Sequence, residues 1–398
     1  MVNKNRLGSG YTQYLNTVLL FFWIMKAETI KAIDRYIGIP LCAFLAIFKT
    51  FRKKSNEVRN ILAIVFWGIG SSVNTLPVLR ALKKMYPNAK LTVITPTKNA
   101  DLLYNNKHID DIILIDMNIF SLLKVIKQIT GKYDLVVDME HWLNISAILS
   151  FFASARITGF SNRFRSLLYS DKIPFNPEKH AVLNNMELAR QAGAYYKLEK
   201  LEKIETSNND KKFAEKFLRN HGINEKKELV IGICPASGET VVERRWPKEK
   251  FAELADRLVD KYKASIIFIG SENEKLLINN VQALMKNKSF DSSGIKLGQS
   301  IALIDKCKLF ISNDTGPMHI AAAQGIKTIG LFGPETPVIF GPFGKDNIAI
   351  YKNHQQGPTI KIYEGVHRKP KEDMLDRITV NEVFDATERL IRRFRGGR

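Results

Sequence analysis

Cysteine is scarce: Cys42, Cys234 and Cys307 are the only three in 398 residues, far apart and odd in number. With no Cys-x-x-Cys pair and no Cys/His cluster, neither a disulfide framework nor a structural zinc site is supported. A reducing, cytosolic setting suits the main body of such a chain. Long apolar runs are missing too, since none reaches the ~20 residues a helix needs to cross a bilayer. No segment repeats at a period of about 20 to 50 residues, which excludes a solenoid. Acidic residues are the third shortage, 40 Asp and Glu against 60 Lys and Arg, for a formal net charge of +20. A surplus of that size favours anionic partners: nucleic acid, phosphate-bearing substrates or an acidic membrane surface. Nucleic acid loses ground because no nucleic-acid-binding motif accompanies the charge. The remaining composition, 45% hydrophobic and 25% charged, is that of a globular protein with length for two domains.

Residues 1–57 differ from the rest. Two apolar runs, Tyr14–Met25 and Ile37–Phe48, stand among cations, and through residue 59 ten lysines and arginines face three acids, a net +7. Short apolar runs flanked by cations suit a monotopic anchor lying among anionic lipid headgroups. A helical pair packed on the protein's own surface is the alternative. A signal peptide is a third, disfavoured because no small-x-small cleavage site follows cleanly. The C-terminal RLIRRFRGGR, with five arginines in ten residues, is either a second contact to an anionic surface or a solvated tail.

From Asn60 the pattern changes to apolar β-branched strands separated by helices. NILAIVF, KLTVIT, DIILID and YDLVVD read as strands, with helices over Ser72–Tyr86, Ala100–Asn106 and Ile119–Ile129 between them. A polar stretch, KIETSNNDKK, then precedes a helix over Lys211–Asn220 and a second series: LVIGICP, ASIIFIG, KLFIS and KTIGLFG, with helices including Phe251–Tyr262 and Met318–Gln324. Such alternation predicts parallel sheets covered on both faces by helices. The fold class is therefore α/β, with two Rossmann-like doubly wound domains over 58–205 and 206–355, a helical tail over 356–398 and the N-terminal helical extension. Ligands of such sheets sit at the carboxyl ends of the strands, so a cleft between the halves is the expected site.

The most informative stretch is SNDTGPMHIAAAQGIKTIGLFGP, residues 312–334. A strand ends at Asn313–Asp314, and Thr315–Gly316–Pro317 turns into a helix carrying His319. Gly316 permits close backbone approach, Pro317 suits a first helical turn, and the helix start offers free N–H groups to an anion. Asp314 and Thr315 stand at the strand's mouth, aimed at hydroxyls. A capped helix with a core histidine is the plainer reading of the same residues.

This run closely resembles the donor-site signature of the ADP-heptose–lipopolysaccharide heptosyltransferases, glycosyltransferase family 9. NILAIVFWGIGSSVNTLPVLRALKKMYPNAKLTVIT, IGICPASGE, RRWPKEKFAELADRL and FIGSENEK agree with that family in order, so the likeness spans roughly Asn60 to Gly344. The resemblance implies a GT-B fold, an acceptor-binding first domain, a nucleotide-sugar-binding second domain and an inverting, metal-independent transfer. The sequence agrees on the metal, since it contains no Asp-x-Asp pair to chelate one against a diphosphate. The implied partners are a nucleotide-sugar donor, ADP-linked, and a lipid-linked or lipopolysaccharide acceptor at the cytoplasmic face of the inner membrane, with no further cofactor. Carried over by position, Asp314, Thr315, Gly316 and His319 fall on sugar and diphosphate contacts. Arg244 falls on a lysine that neutralises the leaving phosphates, and Glu272 on an acid that holds nucleotide or sugar hydroxyls. Ser237 lies in the loop Ala236–Gly238, whose backbone N–H groups face phosphate.

The chain departs from the family at its first loop. Where the family reads Gly-x-x-Gly-Asp, with the aspartate as candidate base, this sequence has GIGSS, placing Gly70, Ser71 and Ser72 at the acceptor loop. A serine hydroxyl cannot take the acceptor's proton at neutral pH without a base of its own. YDLVVDMEHW supplies replacements at another strand end: Glu140 as general base, with Asp138 and His141 as alternatives. A base-less, catalytically inactive nucleotide-sugar-binding protein is the competing reading. A nicotinamide dehydrogenase is disfavoured because GIGSSV lacks the third glycine of the dinucleotide loop.

Overall fold

The computed structural model describes residues 32–49, 57–66, 68–161, 163–238, 241–352, 358–361, 366–367 and 374–395. The apolar run Tyr14–Met25 and the last three residues lie outside them. The first half forms strands β1 (Asn60–Ile64), β2 (Lys90–Pro96), β3 (Asp111–Ile115), β4 (Leu135–Asp138), β5 (Ile157–Phe160) and β6 (Asp171–Ile173). The second forms β7 (Val230–Cys234), β8 (Ser265–Phe268), β9 (Phe290–Asp291), β10 (Leu309–Asn313), β11 (Lys327–Phe332) and β12 (Ile348–Tyr351). Each set pairs in parallel into one sheet, ordered β3-β2-β1-β4-β5-β6 and β12-β11-β10-β7-β8-β9. The strand order reverses beside β1 in one sheet and beside β7 in the other, and the loops that leave these central strands open toward the cleft.

Burial follows from this topology. Every residue of β4, β5, β7 and β10 is buried, as strands covered on both faces require. One apolar core, running from Ile61 and Val93 to Phe310 and Ile320, is continuous across the two halves. Helix Val380–Arg395 packs against helix Lys248–Tyr262 and puts Val383, Leu390 and Ile391 into the second half's own core.

Some element boundaries differ from the sequence reading for local reasons. The helix expected over Ser72–Tyr86 is two, Ile69–Val73 and Leu76–Met85, with Pro77 in the first turn of the second, where a missing N–H costs least. The helix expected over Ala100–Asn106 is a 3₁₀ turn, Thr97–Leu102. The helix expected from Lys211 begins at Asn208, because Ser207 and Asp210 form a reciprocal capping box.

The second apolar run forms a π-helical turn, Asp34–Gly38, continuing into helix Ile39–Ile47. Its polar anchor to the helix over Asn144–Ala153 is the Asp34 carboxylate. Asp34 accepts from the backbone N–H of Asn144 and of Ile145, each at 2.9 Å, and so caps helix Asn144–Ala153 from outside that helix. Asp34→Ala is expected to destabilise the first half by about 1–2 kcal/mol through loss of this cap, read as a lowered denaturant midpoint at unchanged slope.

Candidate active site

β10 ends on Asn313, whose side chain gathers three segments. Its Oδ1 accepts from the Trp246 N–H at 3.0 Å, and its Nδ2 donates to the Pro235 carbonyl at 2.7 Å. The loop after β7 and the segment carrying Arg244 are thereby fixed to the β10 end, so that Arg244 meets Asp314. The Arg244 guanidinium lies 3.0 Å from the Asp314 carboxylate and 3.3 Å from that of Glu335. All three side chains are buried, and burial raises the pKa of Asp314 while Arg244 works against the rise.

Beyond Asp314, Thr315 adopts an extended conformation at the N-cap position of helix Gly316–Ala323, its side chain making no capping hydrogen bond, with Pro317 in the first turn. His319 is buried, and its Nδ1 has no hydrogen-bond partner. Burial, with added repulsion from His180 and Arg244, lowers its pKa to about 3, so the ring is neutral. The start of helix Ile69–Val73 in the first half, Gly68–Ser71, lies against helix Gly316–Ala323. A β-carbon at Gly70 would stand 2.5 Å from the His319 ring, and one at Gly316 would stand 3.0 Å from Ile69. Glycine at both positions is what lets the halves meet here.

The resulting cleft has a volume of about 510 Å³. From the sequence-predicted set, Gly70, Ser71, Ser237, Arg244, Asp314, Thr315, Gly316 and His319 line it together. Ile269, Ile295, Leu297 and Ile304 give it apolar wall. Ser237 donates its hydroxyl to the Val241 carbonyl at 2.7 Å. Of the residues predicted for the donor site and the acceptor loop, two stand apart from the lining. Ser72 is fully buried, its Oγ accepting from Asn99 Nδ2 at 2.9 Å. Glu272 is exposed and lies across Gly294, next to the lining residue Ile295.

In this segment the acid that lines the cleft is Glu274, two residues further on. It caps the 3₁₀ turn Glu272–Glu274 by accepting from the Ser271 N–H at 2.8 Å, and it accepts from the Gly238 N–H at 3.1 Å. The Ser-x-x-Glu spacing of a capping box was present in the sequence and would have selected it. Glu335 and Asn313 were also missed; neither carries a local signal, since their partners lie 91 and 67 residues away.

The three residues expected to carry the base lie at the end of β4 and turn inward. Asp138 is fully buried, where it accepts from Tyr169 Oη and Arg165 Nη2, both at 2.7 Å, and from Ser146 Oγ at 2.9 Å. His141 stacks on Phe175 at 5.3 Å and meets the edge of Phe160 at 5.4 Å, with a pKa lowered by burial to about 3. Glu140 caps its own loop, with Oε1 accepting from the N–H of His141 at 3.0 Å and of Trp142 at 2.9 Å. Its Oε2 has no hydrogen-bond partner, and burial raises its pKa to about 7. None of the three lines the cleft. Asp138 and His141 are therefore interior groups, one spent on an ion pair and the other on aromatic packing, with Glu140 alone retaining an unused oxygen.

Among the described residues, no group of three or more His, Cys, Asp or Glu side chains gathers to hold a metal ion. The glycosyltransferase family 9 (heptosyltransferase) model matches residues 122–367. The lipooligosaccharide heptosyltransferase 2 of Haemophilus ducreyi is 27% identical over 346 residues, 81% of this chain and 97% of that protein. The family 9 glycosyl transferase of Veillonella parvula superposes with a TM-score of 0.71 at 25% identity, over 83% of this chain and 97% of its own. The ADP-heptose lipopolysaccharide heptosyltransferase II of E. coli shares the fold, with a TM-score of 0.65 at 21% identity over 85% of this chain and 99% of its own. The two parallel six-stranded sheets are thus a GT-B arrangement, and the chain belongs to glycosyltransferase family 9, the heptosyltransferases.

Proposed function

We propose that this glycosyltransferase moves heptose from ADP-heptose to a lipopolysaccharide-core or other lipid-linked acceptor, with inversion and without a metal ion. The observation that carries the reading is the convergence of Arg244, Asp314, Thr315 and His319 at the start of one helix, facing the glycine loop of the other half. A helix start and a guanidinium are together a diphosphate site. The apolar wall suits a nucleobase. Arg244 is already shared by two carboxylates, so an arriving diphosphate displaces one of them, freeing Asp314 to accept from a sugar hydroxyl. The relatives bear on the donor through their names, heptosyltransferase in H. ducreyi and ADP-heptose heptosyltransferase in E. coli. The absence of an Asp-x-Asp pair from the sequence supports metal independence.

In the transfer, an acceptor hydroxyl attacks the anomeric carbon from the face opposite the nucleotide. The bond from that carbon to the phosphate oxygen breaks, and ADP leaves with the electron pair, its charge met by Arg244 and the helix N–H groups. The hydroxyl proton goes to a base. We assign that role to Glu140, whose free Oε2 and pKa near 7 suit it. Because Glu140 is sealed from the cleft, the Met139–Leu143 loop must open for it to act. A second reading, a donor-binding protein without transfer, is favoured by Ser71: among the described residues that line the cleft with it, the two acids, Asp314 and Glu274, are both engaged.

Transfer to heptose-deficient lipopolysaccharide tests the assignment. Glu140→Gln keeps the oxygen that caps the loop and removes the basic one, so turnover should fall by roughly 100-fold or more while donor affinity stays within about twofold. In the wild-type enzyme kcat/KM should rise with pH through about 7, as the buried carboxyl ionises, and the rise should vanish in the variant. Near-normal turnover of Glu140→Gln would remove it from the mechanism; donor binding with no transfer by wild-type protein would favour the second reading. Arg244→Lys should keep the buried charge but lose the forked contact, lowering kcat/KM about tenfold.

A further inference from the structure

The helix over residues 32–47 has two unlike edges. Its inner edge is anchored through Asp34, Cys42 and Leu45, all buried against the first half. Its outer edge leaves Tyr36 74%, Ile37 60%, Phe44 56% and Ile47 64% exposed. The 3₁₀ turn Phe164–Leu168 packs beside this helix and continues the apolar surface, with Phe164 63% exposed. Lys49 closes the seam, donating from Nζ to the carbonyls of Leu167, at 3.1 Å, and Tyr169. The result is a fixed apolar face rather than a loose tail.

We propose that this face docks in the interfacial layer of an anionic phospholipid bilayer; the purpose given to it rests on the lipid-linked acceptor proposed above. Charge selects the occupant. Asp34, the only acid of the described helix, is buried in its cap, whereas Arg35 is exposed. Arg52, Lys53 and Lys54 follow the helix in sequence, and the 31 residues ahead of it carry a second apolar run with Lys4, Arg6, Lys26 and Lys31 against Glu28. Apolar side chains between cations match acyl chains beneath anionic headgroups. No described helix is long and apolar enough to cross a membrane, so the contact lies in the plane of the surface. The face also borders the acceptor side of the enzyme. Arg163, adjoining Phe164, places its guanidinium 5.5 Å from the Trp142 ring centre, in the loop that carries Glu140. Docking thus brings that loop to the bilayer, where a lipid-linked sugar would be presented.

The test is flotation of the full chain with vesicles of phosphatidylcholine, with and without about one-third phosphatidylglycerol, alongside calorimetric donor binding. Wild-type protein should float with the anionic vesicles, poorly with the neutral ones, and less as salt rises. The variant Phe44→Ser/Ile47→Ser, and separately Phe164→Ser, should lose partitioning by about tenfold or more, since these side chains supply the buried apolar area. Donor affinity should be unchanged in both, which shows that they fold. Flotation that is absent, independent of lipid charge or unaltered by both variants overturns the proposal. So does a wild-type dimer that the variants convert to monomers, which would make the face a contact between copies. Vesicle binding without any transfer would defeat the transferase reading and leave the docking standing; transfer without vesicle binding would do the reverse.

Discussion

A β-carbon at residue 70 would come within 2.5 Å of the His319 ring, and one at residue 316 within 3.0 Å of Ile69. That close approach is the constraint on which the site depends. The Gly68–Ser71 segment belongs to the half built on one sheet and the Gly316–Ala323 helix to the half built on the other, and their contact brings the first against the start of the second, where we propose the donor binds. The joint is held elsewhere by paired polar groups. Gln324 exchanges two hydrogen bonds with the backbone of Ile204, at 2.9 and 3.2 Å, and His180 meets the Gly341 carbonyl at 2.9 Å. The cleft is a property of the joint, since neither half alone supplies both walls.

Buried charge is treated differently on the two sides. In the second half, Arg244 lies between Asp314 and Glu335, one cation for two acids, in a wall of the cleft. An arginine with competing partners is one whose contacts an anionic ligand can rearrange. In the first half, Asp138 and Arg165 form a pair with side chains 0% and 1% exposed, closed further by Tyr169 and Ser146. Such a pair is costly to break and is shut away from ligand. It stiffens the end of β4, from which the loop bearing Glu140 departs.

Much of the architecture was legible in the sequence because it rests on period. Runs such as LVIGIC and KLFIS are apolar and β-branched on both faces, which only buried parallel strands require. The Asp314–Gly316 turn and the first glycine loop were legible because glycine and proline state backbone geometry directly. What stayed hidden was the direction in which acids point. Asp138, Glu140 and Glu272 all lie at or just beyond strand ends, where cleft-facing residues are expected, yet the first two turn inward and the third lies outside the lining. For Asp138 the deciding partner is Arg165, 27 residues away, and a buried arginine reads in sequence like any surface one. For the apolar run Ile37–Phe48, composition left a membrane anchor and a helix packed on the protein's own surface both open, and gave no sign of the cap by Asp34, whose partner helix begins 110 residues later.

The joint between the halves is proposed as the site of an ADP-linked sugar, and calorimetric titration of the full chain with ADP-, UDP-, GDP- and CMP-sugars tests this. Saturable binding of ADP-heptose is expected, about tenfold or more tighter than any sugar carrying another base, a margin of about 1.4 kcal/mol. Equal affinity for all four, or binding of none, would contradict it.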